Sequence, residues 1–155
     1  KYGYRIKYVL HPIVSAQVND FDKNDYVDII PAVGDMSYET MFRESSLMVT
    51  DFSGIQFDFA YMRKPLVYLH HKDIPQHYEE GTFFYDTMAF GEIAHDNDEL
   101  IDLLCEYMAS GCKMKEEYVR RADDFFYYND HNNCKRIYDT MIEYQEKKIL
   151  PYRQK

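Results

Sequence analysis

The sequence predicts an α/β fold: a parallel, doubly wound sheet with flanking helices and a helical C-terminal tail. Short apolar runs of strand length alternate with helical patterns over the first part of the chain, and from Asn97 onward the apolar spacing is helical only. With 155 residues, 46% apolar and 29% charged, the chain is the size of one soluble domain able to bury a core. No internal repeat or low-complexity linker divides it, so one domain is expected.

The elements follow in order. Residues 4–10 (YRIKYVL) are rich in β-formers and stop at His11-Pro12, where proline ends a strand and begins a turn. Residues 26–30 (YVDII) read as a second strand, closed by Pro31. Residues 37–43 read as a helix, with Ser37 as N-cap, Glu39 near the positive end and an apolar face of Met36, Met41 and Phe42. Residues 47–50 (LMVT) are a nearly continuous apolar run, the mark of a strand covered on both faces. After the break at Asp51-Phe52-Ser53-Gly54, residues 55–62 read as a helix that Lys64-Pro65 ends. Residues 66–69 (LVYL) are another buried strand and residues 91–95 (GEIAH) a last short one. Helices are expected over 98–108, with Leu100, Leu103, Leu104 and Tyr107 at helical spacing, over 115–128, and over 131–145.

Composition excludes several classes. A net charge of −9, from 18 basic and 27 acidic residues, argues against a nucleic-acid binder, which needs a basic stripe, and against direct docking on an anionic membrane. The basic residues Lys147, Lys148, Arg153 and Lys155 gather at the C-terminal end, where a solvated tail is the plain reading. Cys105, Cys112 and Cys134 are odd in number and form no CxxC pair, which fits a reduced cytoplasmic compartment; Cys105 reads as core. No apolar run reaches membrane-spanning length. The chain opens with Lys rather than Met, directly into an apolar pattern, and reads as a piece of a longer protein.

In an open parallel sheet, ligands bind beyond the carboxyl ends of the strands. Two such ends carry suitable residues: His11 after the first strand, and Thr50, Asp51, Ser53 and Gly54 after the 47–50 run. The second is a small-residue turn entering a helix, where free backbone N–H groups, a hydroxyl and a glycine suit a phosphate or pyrophosphate. Plain helix capping by Ser53 or Asp51 is the competing reading. His70, His71 and His77 with Asp73 match no zinc spacing, and no metal is expected there. The pairs Glu79-Glu80 and Asp123-Asp124 read as solvated surface, and the run Phe125-Phe126-Tyr127-Tyr128, too dense for one helix face, as packing.

Residues 45–60 (SSLMVTDFSGIQFDFA) resemble the "DvLITDYSSvxFDYa" block of CDP-glycerol glycerophosphotransferases. Residues 64–68 (KPLVY) are similar to the "KPiiFy" that follows it, residues 8–12 (YVLHP) to the family's "lxxHP" block and residues 81–86 (GTFFYD) to "RGfyfD". Residues 90–93 (FGEI) resemble "PGpiv", and residues 130–137 (DHNNCKRI) resemble "DGkasxRv". The blocks keep the family's order and cover nearly the whole chain.

The resemblance implies a GT-B type fold of two Rossmann-like halves, with residues 1–155 as the C-terminal, nucleotide-binding half. It implies transfer of glycerol phosphate from CDP-glycerol to a polyol-phosphate, teichoic-acid-like acceptor with release of CMP, without a cofactor. His11 would contact the phosphates and stabilise the leaving CMP. Thr50, Asp51, Ser53 and Gly54 would form the nucleotide and phosphate cradle, with Asp58 on the following helix. An N-terminal companion half would hold a second catalytic histidine, so this chain alone is expected to bind and not turn over. The full-length protein is expected at the inner face of the cell membrane, attached through its other parts. Three departures stand out: Gly54 replaces the family's second serine, Glu80 its arginine, and His131 the glycine after Asp130. They keep two alternatives open, another donor such as CDP-ribitol or a nucleotide sugar, and a non-catalytic domain that retains the fold.

Overall fold

The computed structural model describes residues 2–22, 24–31, 38–73, 81 and 83–147. Within them the chain is an α/β structure of parallel sheets with flanking helices. Strand β1 (Ile6–Val9) leads through a 3-10 helix (Pro12–Asp20) to β2 (Val27–Ile30) and α1 (Tyr38–Glu44). Then come β3 (Met48–Thr50), α2 (Ile55–Tyr61), β4 (Leu66–Leu69), the single turn α3 (Tyr85–Met88) and β5 (Gly91–Ala94). The tail comprises α4 (Asn97–Ala109), α5 (Glu116–Phe125) and α6 (Asn133–Glu146). The sequence reading missed the 3-10 helix, which lacks helical periodicity, and α3, which is a single turn. Ser37, Met36, His77, Glu79, Glu80, Lys148, Arg153 and Lys155 lie outside the described residues.

One continuous sheet was expected; the described strands form two. β1 pairs with β2, and β3, β4 and β5 pair in that order, every ladder parallel. β3 contributes only three residues and is an edge, with Val49 43% exposed, so the expectation of a strand covered on both faces fails there.

β4 is the strand buried on both faces. Its side chains alternate in direction, so Leu66 and Tyr68 enter one core with Phe59 and Ala60 of α2, Phe90 and Ala122 of α5. Val67 enters another with Ala94 of β5, Tyr107 of α4, and Leu100, Leu103 and Leu104 beside it. Cys105 was expected in the core, on the apolar face of its helix, but is exposed. At about 100° per residue it falls on the far side of α4 from Leu100, Leu104 and Tyr107. Cys112 is the buried cysteine.

Ion pairs and aromatic rings fasten the tail to this frame. Tyr107 donates to Glu92 at 2.6 Å, and Lys115 joins Glu92 to Glu106, linking β5, α4 and α5. Arg63 reaches Asp123 at 2.6 Å, tying the end of α2 to α5. Phe125 and Phe126 pack with Phe57, Phe83 and Phe90, while Tyr127 is 85% exposed. Ahead of α6, Arg136 grips Asp130 with two 2.9 Å hydrogen bonds and lies 3.6 Å from the Tyr128 ring centre. The Asp130 carboxyl is held well below its usual range, chiefly by that guanidinium. His131 takes φ +58°, the left-handed region. Glycine adopts that conformation freely, whereas histidine holds it at a cost of about 1 kcal/mol.

Gly91 opens β5 opposite Leu66, and a Cβ built on it would overlap the Leu66 carbonyl oxygen. Because the obstacle is backbone, no rotamer change relieves it, and the β4–β5 ladder must part. Gly91→Ala is expected to lower unfolding free energy by about 3 kcal/mol or more, read from chemical denaturation. A loss below about 0.5 kcal/mol would show that the two strands are not held this close.

Candidate functional site

The carboxyl ends of the larger sheet converge on one edge. β3 delivers Thr50 and the turn of Asp51, Phe52, Ser53 and Gly54; β4 delivers His70; β5 delivers His95. Thr50 sits opposite Tyr68 in the ladder and is half-buried, as is Ser53; Asp51 and Gly54 are exposed. The turn tightens through Gln56 N–H to Ser53 O (3.3 Å) and Phe57 N–H to Gly54 O (3.2 Å). Gly54 is already helical, at φ −64° and ψ −20°, and no side chain caps α2. The capping reading of Ser53 and Asp51 therefore fails, and their oxygens are not spent on the helix. Asp58, one turn further on, is exposed on α2.

A buried polar chain forms the floor beneath this turn. The Phe90 N–H donates to the Tyr68 hydroxyl (3.3 Å), which donates to Gln56 Oε1 (2.7 Å), while Gln56 Nε2 donates to the Tyr85 hydroxyl (3.3 Å). Burial raises the Tyr68 pKa, so the phenol stays protonated and the chain keeps its direction. Above it, Phe52 stacks on the His70 ring with centroids 4.1 Å apart, and Tyr85 meets both edge-on at 5.6 and 4.7 Å. Burial pulls the His70 pKa below its ordinary value, against an opposing hydrogen bond with the Asp51 backbone. Sequence reasoning weighed His70 only as a metal ligand. Its place beside Phe52 comes from the parallel pairing of β3 and β4, which no local signal announces. Among the described residues, no group of three His, Cys, Asp or Glu side chains is arranged to hold a metal.

Lys64 fixes the opposite end of the strands. Its Nζ donates to the carbonyls of Phe42 (2.6 Å), Arg43 (2.9 Å) and Ser45 (2.7 Å), satisfying the C-terminal end of α1. This holds α1 and the start of β3 against the start of β4.

His11 lies beyond the other sheet, past β1. It is the N-cap of the 3-10 helix, Pro12 following as its first residue, and its Nδ1 accepts from Ile13 N–H at 3.2 Å. A nitrogen that accepts carries no proton, so the neutral ring holds its proton on Nε2, aimed away from its own backbone. The side chain is exposed. No hydrogen bond or ion pair among the described residues joins His11 to Thr50, Asp51, Ser53, Gly54 or Asp58. The structure gathers the second group and leaves His11 at a separate strand end. Two surface hollows, of about 390 Å³ against Tyr128 and Ile137 and about 340 Å³ against Thr87 and Arg121, include none of these residues. The strand ends are the stronger candidate, because in an open parallel sheet ligands bind beyond the carboxyl ends of the strands.

Comparison with known proteins adds what geometry does not. A family model described as CDP-Glycerol:Poly(glycerophosphate) glycerophosphotransferase matches residues 1–143. The minor teichoic acid biosynthesis protein GgaB of Bacillus subtilis (strain 168) is 36% identical over 149 residues, 96% of this chain and 16% of that protein. The chain thus spans a small part of that relative's length. No solved structure matches.

Nothing stands within 4 Å of a Cβ built on Gly54, and its backbone is ordinary helix. Gly54→Ser, which restores the serine of the family pattern, should keep stability within about 0.5 kcal/mol by thermal melting. A larger loss would mean that the turn needs glycine.

Proposed function

The chain belongs to the CDP-glycerol:poly(glycerophosphate) glycerophosphotransferase family, and from that we propose that it is the donor-binding part of an enzyme passing glycerol phosphate from CDP-glycerol to a polyol-phosphate, teichoic-acid-like acceptor. The observation that carries this reading is the family match across residues 1–143, supported by the relative named for teichoic acid biosynthesis. In the proposed architecture residues 1–155 are the C-terminal half of a two-domain GT-B type transferase. The companion half supplies the acceptor side and a second catalytic histidine. Among the described residues no helix is long and apolar enough to cross a membrane; attachment at the inner membrane face is assigned to other parts of the full-length protein.

In the proposed reaction, an acceptor hydroxyl gives up its proton to the solvent and its oxygen forms a bond to the phosphorus that bears glycerol. The bond from that phosphorus to the oxygen bridging it to CMP breaks, and its electron pair leaves on CMP. Thr50, Asp51, Ser53 and Gly54 are the proposed cradle for nucleotide and phosphate, with Asp58 flanking it on α2. The exposed oxygens and open space of that turn suit the role. His11 is the proposed catalytic residue: its Nε2–H, directed by the Nδ1 bond to Ile13, donates to the phosphate oxygens and to the departing CMP. Gly54 and Glu80 favour a second reading, a donor other than CDP-glycerol, since one removes a hydroxyl and the other places an acid where the family pattern has a base.

Titration calorimetry separates these readings. CDP-glycerol and CDP should bind the 155-residue chain; silence with CDP-glycerol, CDP and CMP would overturn the proposal, and preference for a uridine nucleotide would promote the second reading. In the full-length enzyme, His11→Ala should lower turnover by about 100-fold or more with folding intact by circular dichroism. Unchanged turnover would remove His11 from the mechanism.

A further inference from the structure

Among the described residues, one buried side-chain nitrogen has no hydrogen-bond partner: Nε2 of His70. Buried polar atoms in folded proteins are almost always paired, so an orphan of this kind calls for a cause. Its position is specific. His70 directly follows β4, at the carboxyl end of the strand whose neighbour delivers the 50–54 turn.

The residue is fixed from several directions. Its main-chain N–H donates to Ala94 O at 2.9 Å, and its carbonyl meets His95 Nδ1 at 3.3 Å. The ring is stacked on Phe52, edge-on to Tyr85, and tilted against Tyr68 at 5.9 Å. The ring also hydrogen-bonds the Asp51 backbone. That contact raises the pKa, as donation from the ring to a carbonyl does. A neutral imidazole with its proton on Nδ1 presents a lone pair at Nε2. Burial keeps the ring neutral, and the nearby His95 acts in the same direction.

We propose that His70 is a ligand-binding residue of the strand-end site, with Nε2 accepting a hydrogen bond from the nucleoside part of the donor. This rests on the donor-site reading above and deepens it. Ionised phosphate oxygens are acceptors and cannot satisfy a lone pair. A ribose hydroxyl or the cytosine amino group can. The inference thus divides the site by chemistry: the 50–54 turn takes the phosphates, and the end of β4 takes the nucleoside.

Two measurements with CDP as probe test it. His70→Phe keeps a ring against Phe52 and deletes Nε2. Calorimetry should give a CDP Kd about tenfold weaker than that of the wild type. In the wild-type chain labelled with 15N-histidine, the Nε2 resonance of His70 should move on CDP addition. An Nε2 signal that stays put overturns the proposal whatever the variant does, since a structural water at that nitrogen predicts no change. Equal CDP affinity in a folded His70→Phe also overturns it, while leaving the donor site standing. A wild type that does not bind CDP overturns the donor-site reading and this proposal with it. If His70→Phe does not fold, the wild-type resonance decides alone.

Discussion

Four consecutive side chains on β4 must each find an apolar or hydrogen-bonded home, because the strand has helices on both faces and a strand on each side. Leu66 and Tyr68 point to α2 and α5, Val67 to α4, and the backbone is shared between β3 and β5. A strand buried in this way tolerates no unpaired polar group, and the one hydroxyl it carries, on Tyr68, is bonded on both sides. The same hydroxyl steadies Gln56 in the first turn of α2. The helix that begins at the 50–54 turn is therefore positioned from the core outward.

This frame was largely legible in the sequence. A continuous apolar run between Pro65 and His70 admits few alternatives to a covered strand, and the helical spacing of Leu100, Leu103, Leu104 and Tyr107 fixed the inner face of α4. Part of what escaped was decided by neighbours distant in sequence. β3 has the composition of a covered strand, yet its place at the edge leaves Val49 in solvent. Cys105 looked apolar enough for the core, and only its angular position on the helix contradicts that. The 3-10 helix after His11 lacks the periodicity that would reveal it.

The candidate site was legible in part. The turn after β3 could be found because a small-residue break between a strand and a helix is a local signal. His70 could not, because a His-His pair at a strand end says nothing of which ring meets Phe52 and which nitrogen is left without a partner. The departures from the family pattern also change meaning in three dimensions. Position 54 has room for a side chain, so its glycine is no structural necessity, whereas position 131 has a backbone that favours glycine and holds histidine instead.

Lys64 has a bearing on the order in which the chain can assemble. The carbonyls it grips belong to residues 42, 43 and 45, 19 to 22 positions upstream. Closing a loop of that size costs little more entropy than closing one half as long. Arg63, its neighbour, instead waits for Asp123, 60 positions downstream. Local contacts form before distant ones reward the chain. The α1–β3–α2–β4 unit, with the 50–54 turn inside it, can therefore close around one ammonium group before α5 arrives to cover it.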